Sequence, residues 1–255
     1  MAGNSGEPGR SVASRCLSVL DAFRPGDQAL PLREIALRTG LPKATVHRFA
    51  QEFVASGALI DRGRGTYEIS VRMFEIGALA ARSQGLRWVA QPVMEDLHRA
   101  TRHNVHLGVW DGTSVVVVAR IAGRRSVPTP ARSGERLPAH ATSIGKVLLA
   151  HAPDDVRDAV LAQPLRRFTP RTITDPATLE QQLEAIRDAG FATAWQERSP
   201  GTASLAVPVL GVDNELVAGL SIVVPVDRMD LARFPPALRV AARTIARRWI
   251  RLEGG

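Results

Sequence analysis

The hydrophobic positions near the start of the chain follow a helical period. Apolar residues recur every three or four positions in three stretches, which predicts amphipathic helices at residues 11–23, 32–39 and 43–56. Gly40 suits the left-handed backbone position that follows a helix, and Pro42 suits the first turn of the next one. The last two helices are therefore expected to form a helix-turn-helix.

An extended pattern follows the third helix. Residues 58–61 and 66–69 are short apolar stretches on either side of Arg62-Gly63-Arg64-Gly65, which predicts a β-hairpin with arginines at its tip. A hairpin in this position is the wing of a winged helix-turn-helix. The helical period returns over residues 71–86, and we interpret that stretch as a linker helix.

The remainder of the chain mixes hairpins with helices. Strands are expected at residues 105–110, 114–121, 191–196, 204–210 and 216–224, and helices at residues 143–152, 154–162, 175–190 and 236–251. This mixture predicts an α+β domain built on an antiparallel sheet. We place a disordered leader at residues 1–10, the winged helix-turn-helix at 11–70, the linker helix at 71–88 and the second domain at 89–255.

Composition narrows the class of protein only slightly. The net charge is +8, but Lys43 and Lys146 are the only lysines among 33 basic residues, so a general bias towards arginine explains part of the excess. Cys16 is the single cysteine, which excludes an intramolecular disulfide and a multi-cysteine zinc site. No apolar run reaches the roughly 18 residues of a membrane helix. A cytoplasmic protein without a membrane partner is expected.

The third helix carries the strongest functional signal. At about 100° per residue, Val46, Phe49, Ala50 and Phe53 form one apolar stripe, and polar or small residues lie opposite or beside it. Those outward positions are Ala44, Thr45, His47, Arg48 and Gln51.

Such an outward face can enter the major groove of DNA. An arginine such as Arg48 recognises guanine, a glutamine such as Gln51 recognises adenine, and Thr45 or Ala44 contacts a thymine methyl group. The flanking basic residues are expected to contact phosphates or the adjacent minor groove. Arg33 and Lys43 have the first role, and Arg62 and Arg64 at the hairpin tip have the second.

Motifs spread over residues 11–250 resemble the isocitrate-lyase-regulator (IclR) family of bacterial transcription regulators. They include Leu32-Arg33-Glu34-Ile35-Ala36, Thr39-Gly40-Leu41-Pro42-Lys43-Ala44-Thr45-Val46-His47-Arg48, Val105-His106-Leu107, Gly134-Glu135-Arg136-Leu137-Pro138, Ala141-Thr142-Ser143-Ile144-Gly145-Lys146 and Ala206-Val207-Pro208-Val209. The resemblance implies a GAF-like (profilin-like) effector domain and a dimer or tetramer that binds palindromic operator DNA. It implies a regulator, expected to be a repressor, that responds to a small carboxylate or an aromatic acid.

The resemblance also implies where the effector binds. The segment 141–146 begins a helix whose free backbone amides suit a carboxylate, and the family holds its ligand at positions that match Ser143, Ile144 and, beside them, Gly145. The late strands complete the implied pocket with Ala194, Ser204, Ser221 and Val223. Because Ala194 and Val223 stand where some relatives have an aspartate and a hydroxyl, we expect a larger, less polar acid than glyoxylate.

Other functions compete with this interpretation. Ser143 and Lys146 match the Ser-x-x-Lys of penicillin-binding hydrolases, but the partner motifs Lys-Thr-Gly and Ser-Asp-Asn are absent from the sequence. His98, His103 and His106 suggest a metal site, although no acidic residue recurs at ligand spacing. An enzyme with an accessory DNA-binding module and a dimerising adaptor remain open. We predict no catalytic residue, no cofactor and no metal.

Overall fold

The computed structural model describes residues 11–24, 26–112, 114–123, 126–129 and 131–254. The predicted leader at residues 1–10 lies outside these ranges. The chain divides into two compact units at the junction of Ala81 and Arg82. None of the helices in the described ranges is both long and apolar enough to cross a membrane.

In its described residues, the first unit has four helices and a small antiparallel sheet. The helices are α1 (Val12–Asp21), α2 (Leu32–Thr39), α3 (Lys43–Ala55) and α4 (Val71–Ala78), and the strands are β1 (Leu30–Pro31), β2 (Leu59–Asp61) and β3 (Thr66–Ile69). The sheet order is β1-β3-β2, so the predicted hairpin gains a third, two-residue strand. The predicted helix-turn-helix and wing are present.

Local chemistry explains the boundaries of these elements. The Ser11 hydroxyl accepts the backbone N–H of Ser14 and caps α1. Gly40 ends α2 in the left-handed conformation at φ 70°, as its position in the sequence predicts. Val46 of α3 and Tyr67 of β3 are buried in one apolar cluster, which holds the wing against the third helix.

The prediction of one linker helix over residues 71–86 is wrong, because the structure has two helices there. The helix α4 ends at Ala78, and α5 (Ala81–Thr101) begins three residues later and passes through the predicted domain boundary at residue 88. The amides of Leu79 and Ala80 bond three residues back, at 3.1 and 3.2 Å, which tightens and ends the last turn of α4. No described residue of α4 is buried, whereas α5 packs its apolar face into the second unit.

Over the residues that the structure describes, the second unit forms a six-stranded antiparallel sheet of order β6-β5-β4-β9-β8-β7 with helices on both faces. Its strands are β4 (Asn104–Asp111), β5 (Ser114–Ile121), β6 (Arg136–Pro138), β7 (Ala192–Trp195), β8 (Thr202–Leu210) and β9 (Leu216–Pro225). Its other helices are α6 (Ser143–Ala150), α7 (Asp154–Leu161), α8 (Pro176–Ala189) and α9 (Phe234–Glu253). The predicted α+β class and antiparallel sheet are confirmed.

Two apolar clusters lie on the two faces of this sheet. One joins α5 and α9 to residues such as Leu107 and Leu220, and the other joins α6 and α8 to residues such as Val117 and Ala206. Glycines allow α6 to lie close to the sheet face that carries Val117 and Ala206. A side chain on Gly219, for example, would come within 2.8 Å of Ile144. The N-terminus of α6 therefore lies directly over the sheet.

Candidate functional site

The outward face of α3 presents the residues that the sequence predicts. Lys43, Ala44, His47, Arg48 and Gln51 are exposed and Thr45 is half-buried, while Val46, Phe49 and Ala50 are buried on the opposite side. The apolar stripe thus anchors the helix, and the polar stripe is left free for a partner surface. Arg33, on α2, is exposed as well.

Two residues of this face also make contacts within the unit. The guanidinium carbon of Arg48 lies 5.3 Å from the ring centre of Phe49, which orients its side chain. The amide nitrogen of Gln51 donates to the hydroxyl of Tyr67 at 3.2 Å. One amide hydrogen of Gln51 is therefore used to link the helix to the wing.

The two arginines of the wing differ in their surroundings. The Nε of Arg62 donates to Glu68 at 2.6 Å, and this pairing lowers the pKa of the Glu68 carboxyl and raises that of Arg62. Arg64 is exposed at the turn itself, where its φ is 52°. Arg64 is consequently the wing residue better placed to reach a partner, because part of Arg62 is held against its own strand.

A cavity of about 510 Å³, partly open to solvent, lies in the second unit between the N-terminus of α6 and the sheet. Six of the seven predicted effector residues line it, and these are Ser143, Ile144, Ala194, Ser204, Ser221 and Val223. Strand pairing brings them together, since Ser204 lies opposite both Ala194 and Val223. The seventh, Gly145, does not line the cavity.

Gly145 instead allows close packing behind the cavity. A side chain there would come within 2.6 Å of the Cα of Ala139 and closer still to its carbonyl oxygen. Its amide donates to the hydroxyl of the cap residue Thr142 at 3.1 Å. The amides of Ser143 and Ile144, at the first two positions of α6, have no carbonyl one turn earlier in the helix to bond, so they are available to a ligand.

The cavity also contains polar groups that the prediction did not include. His106, Thr129 and Arg198 line it, and Nε2 of His106, Oγ1 of Thr129 and Nε of Arg198 are buried without a hydrogen-bond partner among the described residues. Ser143 is only 1% exposed, and its Oγ is likewise buried without a hydrogen-bond partner among the described residues. Buried polar atoms are normally paired, so this concentration indicates a site for a polar ligand.

Arg198 and His106 supply different electrostatics. The guanidinium carbon of Arg198 lies 4.5 Å from the ring centre of Phe168, which fixes a cation at the cavity wall. Burial and the neighbouring Arg120 lower the pKa of His106 to about 3, so its ring is neutral at neutral pH. The alternation along β4 could have identified His106, which shares a sheet face with Gly108. Arg198 lies in a loop, and no sequence pattern marks it.

The contacts of Lys146 bear on the hydrolase alternative. Its Nζ donates to both carboxylate oxygens of Glu197, at 2.6 and 2.7 Å, and both side chains are buried. Burial lowers the pKa of Lys146, and the Glu197 carboxylate opposes that shift. Lys146 is therefore engaged in holding the loop after β7, and its Nζ is not hydrogen-bonded to the hydroxyl of Ser143.

The histidines suggested as metal ligands are used in other ways. Nδ1 of His98 is hydrogen-bonded to the carbonyl of His103 at 2.7 Å, while His106 faces the cavity. In the described part of the chain, no group of three or more histidine, cysteine, aspartate or glutamate side chains is close enough to hold a metal ion.

Comparisons with known proteins match two family models to successive parts of the chain. Residues 12–60 match the family model described as the IclR helix-turn-helix domain, and residues 78–247 match that of the bacterial transcriptional regulator IclR C-terminal domain. The class defined by fold and site is a DNA-binding transcription regulator with an effector domain. The chain belongs to the IclR family.

Several relatives extend over most of the chain. It is 34% identical over 227 residues to the HTH-type transcriptional regulator BhcR of Paracoccus denitrificans, covering 88% of this chain and 81% of that protein. It is 32% identical over 225 residues to KdgR of Escherichia coli, with 86% of each chain covered. It also resembles the crystal structure of an IclR homologue from Microbacterium hydrocarbonoxydans complexed with 4-hydroxybenzoate. The TM-score is 0.84 at 33% identity, and the match covers 95% of this chain and 100% of that chain.

Proposed function

We propose that the chain is a sequence-specific repressor whose affinity for operator DNA changes when a small aromatic acid binds in the cavity under α6. Membership of a family of DNA-binding regulators supports the first half of this proposal. The cavity supports the second half, and it is the observation on which the choice of ligand depends.

The cavity has the features of a carboxylate site at one end. Two helix N-terminal amides, those of Ser143 and Ile144, combine with the positive end of the helix dipole and the unpaired hydroxyl of Ser143. Arg198 adds a full positive charge at the wall. An anionic group that entered this end would satisfy hydrogen-bonding groups that are otherwise buried without partners.

The remaining wall favours an aromatic body over a very small acid. Ala194 and Val223 place apolar atoms where a polar wall would be needed to hold a compact, fully hydrated molecule such as glyoxylate. The cavity is partly open to solvent, so the body of a ring can extend from the enclosed end into the mouth. The relative from Microbacterium hydrocarbonoxydans, which carries 4-hydroxybenzoate, supports the same class of ligand for this chain.

The operator is expected to be palindromic because two copies of the chain would place two α3 helices in successive major grooves, about 34–36 Å apart or a multiple of that distance. Arg48 and Gln51 would contact base edges, and Lys43 and Arg33 would contact phosphates. A homodimer or tetramer is therefore part of the proposal.

The DNA-binding half is tested on the DNA upstream of the protein's own gene, by gel shift with excess competitor and by footprinting. A discrete palindromic footprint is expected. Arg48→Ala should weaken operator binding by about 1–3 kcal/mol. Arg24→Ala, which removes an exposed arginine in the loop after α1, is the matched control and should bind within about twofold of the wild type. Binding that depends on salt but not on sequence would contradict the proposal.

The ligand half is tested by titration with glyoxylate, pyruvate, benzoate and the hydroxybenzoates, followed by calorimetry. At least one aromatic acid should bind, and Ser143→Ala should weaken its binding by about 1.5–3 kcal/mol because a hydrogen bond to a charged group is lost. In a transcription assay the protein should lower transcript yield and the acid should restore it. Tight binding of glyoxylate with no aromatic ligand would show that the ligand class is wrong.

A further inference from the structure

A row of polar side chains crosses the sheet beneath the cavity. His106 of β4 lies directly opposite Arg120 of β5 on one side and Ser221 of β9 on the other, so the three side chains share one face. Both His106 and Ser221 line the cavity. This row gives the cavity a second polar region, separate from the carboxylate site at the N-terminus of α6.

The register gives the spacing of the strand positions beneath the two regions. The next pair on the same face is Gly108 and Gly219, and the side chain of Ile144 in α6 packs over both of them. Successive same-face positions on a strand are about 7 Å apart. A ligand with its carboxylate at the start of α6 can therefore reach His106 with a substituent on its far side.

His106 lacks the hydrogen-bond partner that a buried imidazole normally has. The residue is 2% exposed, its Nε2 has no partner among the described residues, and the ring borders empty space. Since nearly all buried polar side-chain atoms are paired, the missing partner is expected to come from the ligand. This observation is independent of the helix N-terminus, because it concerns another element and another atom.

The state of the ring limits the chemistry of that partner. The low pKa of His106 makes the ring neutral, so one nitrogen donates and the other accepts. A hydroxyl group both donates and accepts, so it pairs with Nε2 in either tautomer. Arg120, the charged member of the row, is not among the residues that line the cavity. A second carboxylate beside His106 would therefore be desolvated against an uncharged ring, which costs more than burying a hydroxyl.

We propose that His106 recognises a hydroxyl substituent on the effector, which makes a hydroxylated aromatic acid the preferred ligand of the cavity. This inference rests on the proposed function, because it assumes that an aromatic carboxylate occupies the site. Within that function it identifies the residue that distinguishes one aromatic acid from another.

The test compares 2-, 3- and 4-hydroxybenzoate with the matching methylbenzoates, which have nearly the same size and no hydrogen-bonding substituent. Calorimetry with the full-length wild-type protein should show that at least one hydroxybenzoate binds on the order of tenfold more tightly than its methyl counterpart. In His106→Leu the ratio of the two dissociation constants, methylbenzoate over hydroxybenzoate, should fall to within about threefold of unity. In His106→Gln, whose amide can replace the imidazole, it should be largely retained.

His151→Leu is the matched control, since His151 lies at the end of α6 and is not among the residues that line the cavity. Its discrimination ratio should equal that of the wild type. Isophthalate and terephthalate, which carry a second carboxylate, should bind more weakly than the best hydroxybenzoate. Circular dichroism of each variant checks that it is folded, and the wild-type ratio tests the inference even where a variant does not fold.

The outcomes separate the two proposals. Aromatic acids that bind and alter operator affinity, but with no preference for a hydroxyl or with a preference that survives in His106→Leu, would contradict the role of His106 alone. Tighter binding of a dicarboxylate would also overturn it. If none of the acids binds, the aromatic-acid class is wrong, and the inference about His106 fails with it.

Discussion

At the scale of single residues, the neutral ring of His106 has a consequence for stability. Its pKa in the folded protein is about 3, against an ordinary value of 6.5. Between these values the unfolded chain binds a proton at this residue that the folded chain does not. The free energy of unfolding should therefore decrease as the pH falls from about 6.5 towards 3, with His106 contributing about 1.4 kcal/mol per pH unit.

Urea unfolding at a series of pH values from 4 to 8 measures this contribution as a difference between proteins. His106→Gln should lose most of the decrease below pH 6.5, and above that pH its dependence should match the wild type. His151→Gln is the control and should retain the wild-type slope. Equal slopes in all three proteins would show that the ring is protonated in the folded state.

The same residue shows what the sequence could and could not predict about the site. Residues on α3 were predictable as a group because one helix period sorts them into buried and exposed faces, and no distant contact is needed. His106, Ser221 and Ser204 meet only through strand pairing, so a family resemblance was required to bring the serines together. Arg198 comes from a loop with no periodicity, so no pattern in the sequence predicts its role.

At the scale of elements, the packing of α6 depends on Gly145. A methyl group at this position meets backbone atoms of Ala139, which cannot rotate away as a side chain could. Gly145→Ala should therefore destabilise the second unit by about 1–3 kcal/mol. Urea unfolding followed by tryptophan fluorescence measures this directly, because all four tryptophans belong to that unit.

Gly77→Ala provides the control for this substitution. Gly77 lies within α4, and a side chain there meets nothing within 4 Å. Because alanine is the better helix former, the first unit should become about 0.5–1 kcal/mol more stable, while the tryptophan transition should not change. If Gly145→Ala unfolds at the same urea concentration as the wild type when followed by tryptophan fluorescence, the loop carrying Ala139 can move aside.

The sequence predicts the elements that have a strong local pattern. It does not predict the elements whose limits depend on contacts with the rest of the fold. Gly40 ends α2 where the sequence predicts. Asp175 begins α8 where the sequence predicts, and its carboxylate accepts the amide N–H of Thr178 at 2.8 Å. The sequence does not predict the break between α4 and α5, because Leu79 and Ala80 are good helix formers. The two-residue β1 and the three-residue β6 are too short to show an alternation at all.

At the scale of the whole molecule, the proposed regulation requires a coupling free energy between the operator and the acid. If a saturating acid weakens operator binding by some factor, operator DNA must weaken acid binding by the same factor. We expect a factor between about 5 and 150, the usual range for coupled sites. Fluorescence anisotropy of labelled operator with and without acid gives the first value, and calorimetry of the acid with and without operator gives the second.

The amide of the best-binding acid is the appropriate control ligand, since it keeps the shape and lacks the anionic group that Ser143, Ile144 and Arg198 would hold. It should bind weakly and leave operator affinity unchanged. Two unequal factors would mean that the acid acts on the DNA or on the assembly state as well as on the cavity. An acid that binds the cavity tightly but changes operator affinity by less than twofold would contradict the regulatory role, because a ligand shifts an equilibrium only by its differential affinity for the two states.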